Sequence, residues 1–149
     1  MIAVADTSGL LVLFNRSDPS HLEARKAAEN CALLVATPLA LAEVHQVATS
    51  RAGRSAADGI LRSLTERVRQ MRLVLAPSGP ELLDAALSVR SRYRSLDLDL
   101  VDAVNVALAA EYDTDAVLTR DIRDFRTVRP LGGRYTHFRI LPDDLPDDL

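Results

Sequence analysis

The chain has 149 residues, 48% apolar and 26% charged, with a formal net charge of −3. That length fits one domain able to bury a full core, and the composition excludes a wholly disordered protein. Cys31 is the only thiol, which excludes an internal disulfide and a cysteine-built metal site, and neither a basic leader nor an apolar run of 18 residues is present, so a cytoplasmic protein that is neither secreted nor membrane-spanning is expected.

In chain order, residues 2–5 read as a short buried strand and Ser8 to about Arg16 as a helix. A turn at Ser17-Asp18-Pro19 leads into a helix from about Ser20 to Glu29. Leu33–Ala36 is an apolar run short enough for a strand. Thr37-Pro38 then opens a helix, with Thr as cap and Pro at the first helical position, that runs to about Arg51. Gly53 and Ser55 mark a break before a helix over Ser55 to Gln70. Arg72 to Ala76 reads as a strand, closed by Pro77-Ser78-Gly79-Pro80. Helices follow over Glu81 to Arg94 and Leu100 to Tyr112, then strands over Ala116–Leu118 and His137–Leu141. Short apolar strands alternating with helices predict an α/β fold around a mainly parallel sheet. One domain over 1–142 is expected, with 143–149 as an acidic tail and mobile end. Four acids lie in those last seven residues, and without them the charge balance is +1.

Charges stand in unusual company at several points. Asp6 separates the apolar run Ile2-Ala3-Val4-Ala5 from Leu10 to Phe14, with Thr7, Ser8 and Gly9 straight after it. It reads either as a helix cap or as a carboxylate at the end of a buried strand, where sites form in parallel sheets. Asp121, just past the strand Ala116–Leu118, has the same placement. Glu43 has Leu39, Ala40 and Val47 among its neighbours three and four residues away, so it points along a largely buried surface. Asp102 and Asn105, three apart, are the only polar residues of Leu100 to Ala110 and share one face of a core helix. A lone buried carboxylate there costs several kcal/mol unless it is paired or metal-bound. A first-turn placement, favoured by the helix dipole, would account for Asp102 but not for Asn105.

Taken together, Asp6, Glu43, Asp102 and Asp121 suggest one acidic pocket, and like charges in one pocket need a cation. An oxygen-only ligand set suits Mg²⁺ or Mn²⁺ rather than zinc. His21, His45 and His137 lack zinc-site spacing and read as surface or core residues. No G-x-G-x-x-G, G-x-x-x-x-G-K-[ST] or G-x-S-x-G is present. A phosphatase built on a strand-end Asp nucleophile would carry a second Asp two residues on, where this chain has Ser8. Seventeen of the 18 basic residues are Arg, clustered at 62–72, 90–94 and 120–129. Each cluster is either a solvated face or a phosphate-binding patch.

The opening Val4-Ala5-Asp6-Thr7-Ser8, the mid-chain Leu41-Ala42-Glu43-Val44, Leu100-Val101-Asp102-Ala103 with Ala107-Leu108-Ala109, and Leu118-Thr119-Arg120-Asp121 with Phe125 come in an order and spacing that resembles the PIN-domain family, in particular its VapC-type toxins. The resemblance runs from Ile2 to about Leu141. It implies a three-layer α/β/α sandwich and a Mg²⁺- or Mn²⁺-dependent endoribonuclease, the toxin of a toxin–antitoxin pair. It implies Asp6, Glu43, Asp102 and Asp121 as metal-binding acids, with Thr7 or Ser8 supporting the first carboxylate or a bound phosphate and Asn105 beside the site. Asp99 and Asp124 are nearby acids that would assist or substitute. It further implies a VapB-like antitoxin that covers the site, a homodimer, and a heterotetramer or larger assembly with the antitoxin. A metal-activated water would leave a 5′-phosphate and a 3′-hydroxyl, with nearby Arg residues holding the RNA backbone. Two other readings compete: a PIN-like module that binds RNA or protein without cutting, and a small Mg²⁺-dependent phosphatase.

Overall fold

A computed structural model describes residues 1–146 of the chain. Five short strands form one sheet: β1 (Ile2–Ala5), β2 (Leu33–Ala36), β3 (Leu73–Leu75), β4 (Ala116–Leu118) and β5 (Arg139–Leu141). Their spatial order is β3-β2-β1-β4-β5, and every neighbouring pair is parallel. The expected mainly parallel sheet is therefore wholly parallel among the described residues. Parallel neighbours need long crossovers, which the helices supply. These are α1 (Thr7–Phe14), α2 (His21–Asn30), α3 (Pro38–Ala52), α4 (Arg54–Arg69), α5 (Pro80–Arg92), α6 (Leu100–Glu111) and α7 (Ile122–Thr127). The six-residue α7 is too short to leave a readable periodicity in the sequence.

Strand alternation sorts the core into two halves. Ala3 and Ala5 of β1 face α1, α2, α3 and α4, whose Leu10, Ala27, Val44 and Leu64 are buried against them. Val4, with Val35, Val117 and Ile140, faces α5 and α6 on the other side, together with Phe125 and Phe138 packed edge to face. The result is the expected three-layer α/β/α sandwich. Asp6 continues the parity of Val4, so it turns toward the α6 layer. No helix among the described residues is long and apolar enough to cross a membrane.

The strand order reverses between β1 and β4, where chain ends diverge and open α/β sheets leave a crevice at their carboxyl edge. That edge is drawn tight. The Asp6 amide donates to the Leu118 carbonyl at 3.0 Å. A side chain at Gly9 would bring a Cβ within 2.3 Å of the same oxygen. Only glycine lets the first turn of α1 lie this close to the end of β4. At the far edge, Asp144 accepts both terminal nitrogens of Arg126, at 2.7 and 2.6 Å, and the Ile140 amide at 2.7 Å. These contacts lie in the segment expected as an acidic tail, of which residues 147–149 are outside the described residues.

Candidate active site

Three of the four acids singled out in the sequence meet at this crevice. Asp6 follows β1, Asp121 follows β4, and Asp102 stands in the first turn of α6. One carboxylate oxygen from each lies within 4.8 Å of the others. Asp6 is 1% exposed and Asp102 7% exposed, while Asp121 is half-buried.

The hydrogen bonds around Asp6 decide between its two readings. It occupies the N-cap position of α1 with extended backbone, yet its side chain makes no capping bond. Its oxygens turn the other way instead. Oδ1 accepts the Asn105 side-chain amide at 2.9 Å, and Oδ2 accepts the Thr119 hydroxyl at 2.8 Å and the Ser8 hydroxyl at 3.2 Å. Asn105 is wholly buried one turn along α6 from Asp102, which explains the pairing of those two residues on one helix face. Asp121 likewise begins α7 without a side-chain cap.

No lysine, arginine or histidine forms an ion pair with any of the three acids among the described residues. Burial, above all, pushes the Asp102 carboxyl up to about 9, and the charges of Asp6, Asp99, Asp121 and Asp124 add to the rise. Burial also pushes Asp6 up to about 7, against the opposing hydrogen bond from Thr119 and helped by the charge of Asp121. Packing carboxylates together in this way is unfavourable without positive charge between them. The donor set fits a divalent cation. All three groups are hard oxygen ligands, they converge on one point, and no ion-pair partner offsets their charge among the described residues.

The remaining candidates take distinct places. Glu43, half-buried on α3, is not part of the tight trio. Burial raises its carboxyl, the Thr7 hydroxyl opposes that rise, and the charges of Asp99 and Asp121 add to it, so Glu43 stands at the rim of the same acidic field. Thr7 Oγ1 itself is buried with no partner that meets hydrogen-bond geometry among the described residues. Ser8 supports the carboxylate of Asp6 directly. Asp99 is exposed, and its Oδ1 accepts the Asp102 amide at 2.8 Å, which makes it the cap of α6. Asp124 lies in the first turn of α7, within electrostatic reach of Asp102. The histidines are elsewhere: His21 binds the Val12 carbonyl, His45 pairs with Asp58, and His137 is exposed.

Sequence reasoning passed over Thr119. It is completely buried, donates to Asp6, and accepts the Asp121 amide at 2.9 Å. One hydroxyl therefore sets the carboxylate of Asp6 and the backbone that carries Asp121. The signal was a polar residue placed straight after a buried strand and two before an acid. Thr119→Val keeps the shape and removes both bonds, and it is expected to lower activity about 10- to 100-fold with α-helical content unchanged. Steady-state rates beside a circular dichroism spectrum check this.

A family model for the PIN domain matches residues 3–130. Ribonuclease VapC26 of Mycobacterium tuberculosis is 31% identical over 140 residues, which are 93% of this chain and 99% of that protein. Among solved structures, Mycobacterium tuberculosis VapC20, described as a toxin that cleaves the sarcin–ricin loop, is similar with a TM-score of 0.70 at 19% identity, over 82% of this chain and 91% of that one. VapBC2 from Rickettsia felis, solved bound to a DNA fragment from its promoter, is similar with a TM-score of 0.63 at 14% identity, over 86% of this chain and 93% of that one. At these identities the two structures speak for the fold.

Proposed function

The chain belongs to the PIN-domain family, and on that premise we propose that Asp6, Asp102 and Asp121 hold a divalent ion, Mg²⁺ or Mn²⁺, at which RNA is cut. The chain is a VapC-type endoribonuclease, a hydrolase of phosphodiester bonds and the toxin of a toxin–antitoxin pair. The observation that carries the metal reading is the convergence of three carboxylates, two buried and one half-buried, from segments far apart in sequence, with no basic partner among the described residues.

A divalent ion bound there would acidify a water and offset charge developing on the scissile phosphate. The chain's own residues do the positioning. Asn105 and Thr119 fix the two oxygens of Asp6, so its carboxylate cannot rotate away. Thr119 also ties Asp6 to the backbone of Asp121, and Asp99 anchors the turn that carries Asp102. Glu43 would add charge at the rim, on the side of Thr7, with Asp124 flanking Asp102. RNA is the substrate and a VapB-like antitoxin the partner, acting on a cytoplasmic homodimer that forms a heterotetramer or larger complex with it.

The test is cleavage by antitoxin-free protein. It should cut RNA in Mg²⁺ or Mn²⁺, leave a 5′-phosphate and a 3′-hydroxyl, and stop in EDTA. Cleavage that continues unchanged in EDTA would remove the metal from the mechanism.

A further inference from the structure

Arg120 stands between Thr119 and Asp121, and its backbone is wired into the acid site. Its amide donates to the Ser8 hydroxyl at 2.8 Å, and that hydroxyl in turn donates to Asp6. Its side chain points elsewhere. Nη1 reaches Asp18, in the turn between α1 and α2, at 3.4 Å, with the two side chains 43% and 25% exposed. Both residues line a cleft of about 920 Å³ that begins at Ser8 and continues past Asn15 toward Arg51 on α3.

A half-exposed ion pair with one long contact belongs to the weakest class of charge interaction. The Asp18 carboxylate has a stronger commitment, because the same Oδ1 accepts the Ser20 amide at 2.8 Å. Among the described residues the guanidinium has no such second bond. Its fork matches a phosphate, which offers two oxygens in place of the one that Asp18 gives it. Other arginines of the chain lack this combination of a backbone tied to the acid site and a weakly held head in the adjoining cleft.

We propose that Arg120 binds a phosphate of the RNA strand beside the one that is cut, and that Asp18 holds its guanidinium in the RNA-free protein. The inference rests on the ribonuclease reading. The exchange is one ion pair for another: RNA phosphate replaces the Asp18 carboxylate on the guanidinium, while Asp18 keeps Ser20. Arg120 is thus a substrate-binding residue whose fixed end shares the scaffold of Asp6 and Asp121.

The experiment compares wild type with Arg120→Ala, Arg120→Lys, Asp18→Asn and the double variant Asp18→Asn/Arg120→Ala. Cleavage kinetics in Mg²⁺ are paired with anisotropy of a fluorescent single-stranded RNA in EDTA, where binding is read without turnover. Arg120→Ala should raise KM about tenfold with kcat within about threefold, as loss of one charge-assisted bond to phosphate implies. It should also flatten the salt dependence of binding by about 0.7 in log–log slope, the contribution of one phosphate contact. Arg120→Lys, which keeps the charge without the fork, should fall between. Asp18→Asn preserves the acceptor for Ser20 and frees the guanidinium, so KM should fall, and that gain should vanish in the double variant. The proposal is overturned if wild type cuts RNA but Arg120→Ala leaves KM and the salt slope unchanged. A benefit of Asp18→Asn that survives without Arg120 overturns it too. If wild type cuts no RNA in any divalent ion, it is the ribonuclease reading that fails. Should Arg120→Ala fail to fold, the Lys and Asn variants carry the comparison alone.

Discussion

Asp102→Ala is expected to lower RNA cleavage by at least about a hundredfold, while Asp99→Ala costs roughly tenfold or less. The two acids sit three residues apart at one helix end, yet the structure gives them different work. Asp102 is buried and turned toward Asp6 and Asp121. Asp99 is exposed and bonded to the Asp102 amide. Removing Asp99 therefore costs a helix cap, worth about 1 kcal/mol, and loosens the turn on which Asp102 is mounted. Removing Asp102 takes one of three converging carboxylates from the site. Single-turnover cleavage rates at saturating Mg²⁺, with urea midpoints alongside, separate the two effects. Asp99→Ala should lose stability with modest loss of rate, and Asp102→Ala the reverse. A dead Asp99→Ala beside an active Asp102→Ala would exchange the two assignments.

The second large effect concerns pH. The metal-free protein is expected to lose stability steadily as pH rises from about 4 to about 9. The carboxyl of Asp102 stands at about 9 in the folded chain against an ordinary value of 3.8, and that of Asp6 at about 7. Between those limits the unfolded chain has released protons that the folded chain still holds. The contribution of each group is therefore fully present below about pH 4 and lost as pH rises through its folded value. For Asp6 the window closes near 7, and for Asp102 near 9. A divalent ion favours the ionised carboxylates, so millimolar Mg²⁺ should restore the midpoint at pH 8 and do little at pH 4. Asp102→Asn should flatten the pH dependence and raise the metal-free midpoint at pH 8, and Asp6→Asn should leave the metal-free protein at least as stable as wild type. Denaturant titrations in EDTA at pH 4, 6 and 8 make the measurement. A metal-free wild type that gains stability over this range would contradict the crowding of acids described above.

Much of this arrangement was legible in the residues because a carboxylate in an apolar run is costly and so stands out. Asp6 and Asp102 each break a run that otherwise reads as strand or core helix, and Asp121, like Asp6, follows a strand at the edge where a parallel sheet opens. Asn105 was visible for the same reason. Thr119 left a weaker mark, a polar residue straight after a buried strand and two before an acid, and a threonine in that place is ordinary until its partners are seen. The offset of Glu43 was hidden for another reason: helical periodicity tells which side of α3 it faces, not how far α3 stands from the end of β1. The role of Asp99 was masked by Leu96-Asp97-Leu98-Asp99-Leu100, whose alternating acids look like a solvated approach rather than a cap. Nor did the sequence announce Gly9 as the close contact of α1 with β4, because that contact joins segments more than a hundred residues apart.

That distance also sets a clock on protein synthesis. Asp6 leaves the ribosome 113 positions ahead of its partner Thr119. Until β4 has been translated and has slid in beside β1, a nascent chain holds its first carboxylates without the hydroxyl that orients one of them and without Asp121. A chain cut short before Ala116 would carry only part of the cluster. The three converging carboxylates are thus complete only once the segment that follows β4 has been made and has joined the end of β1.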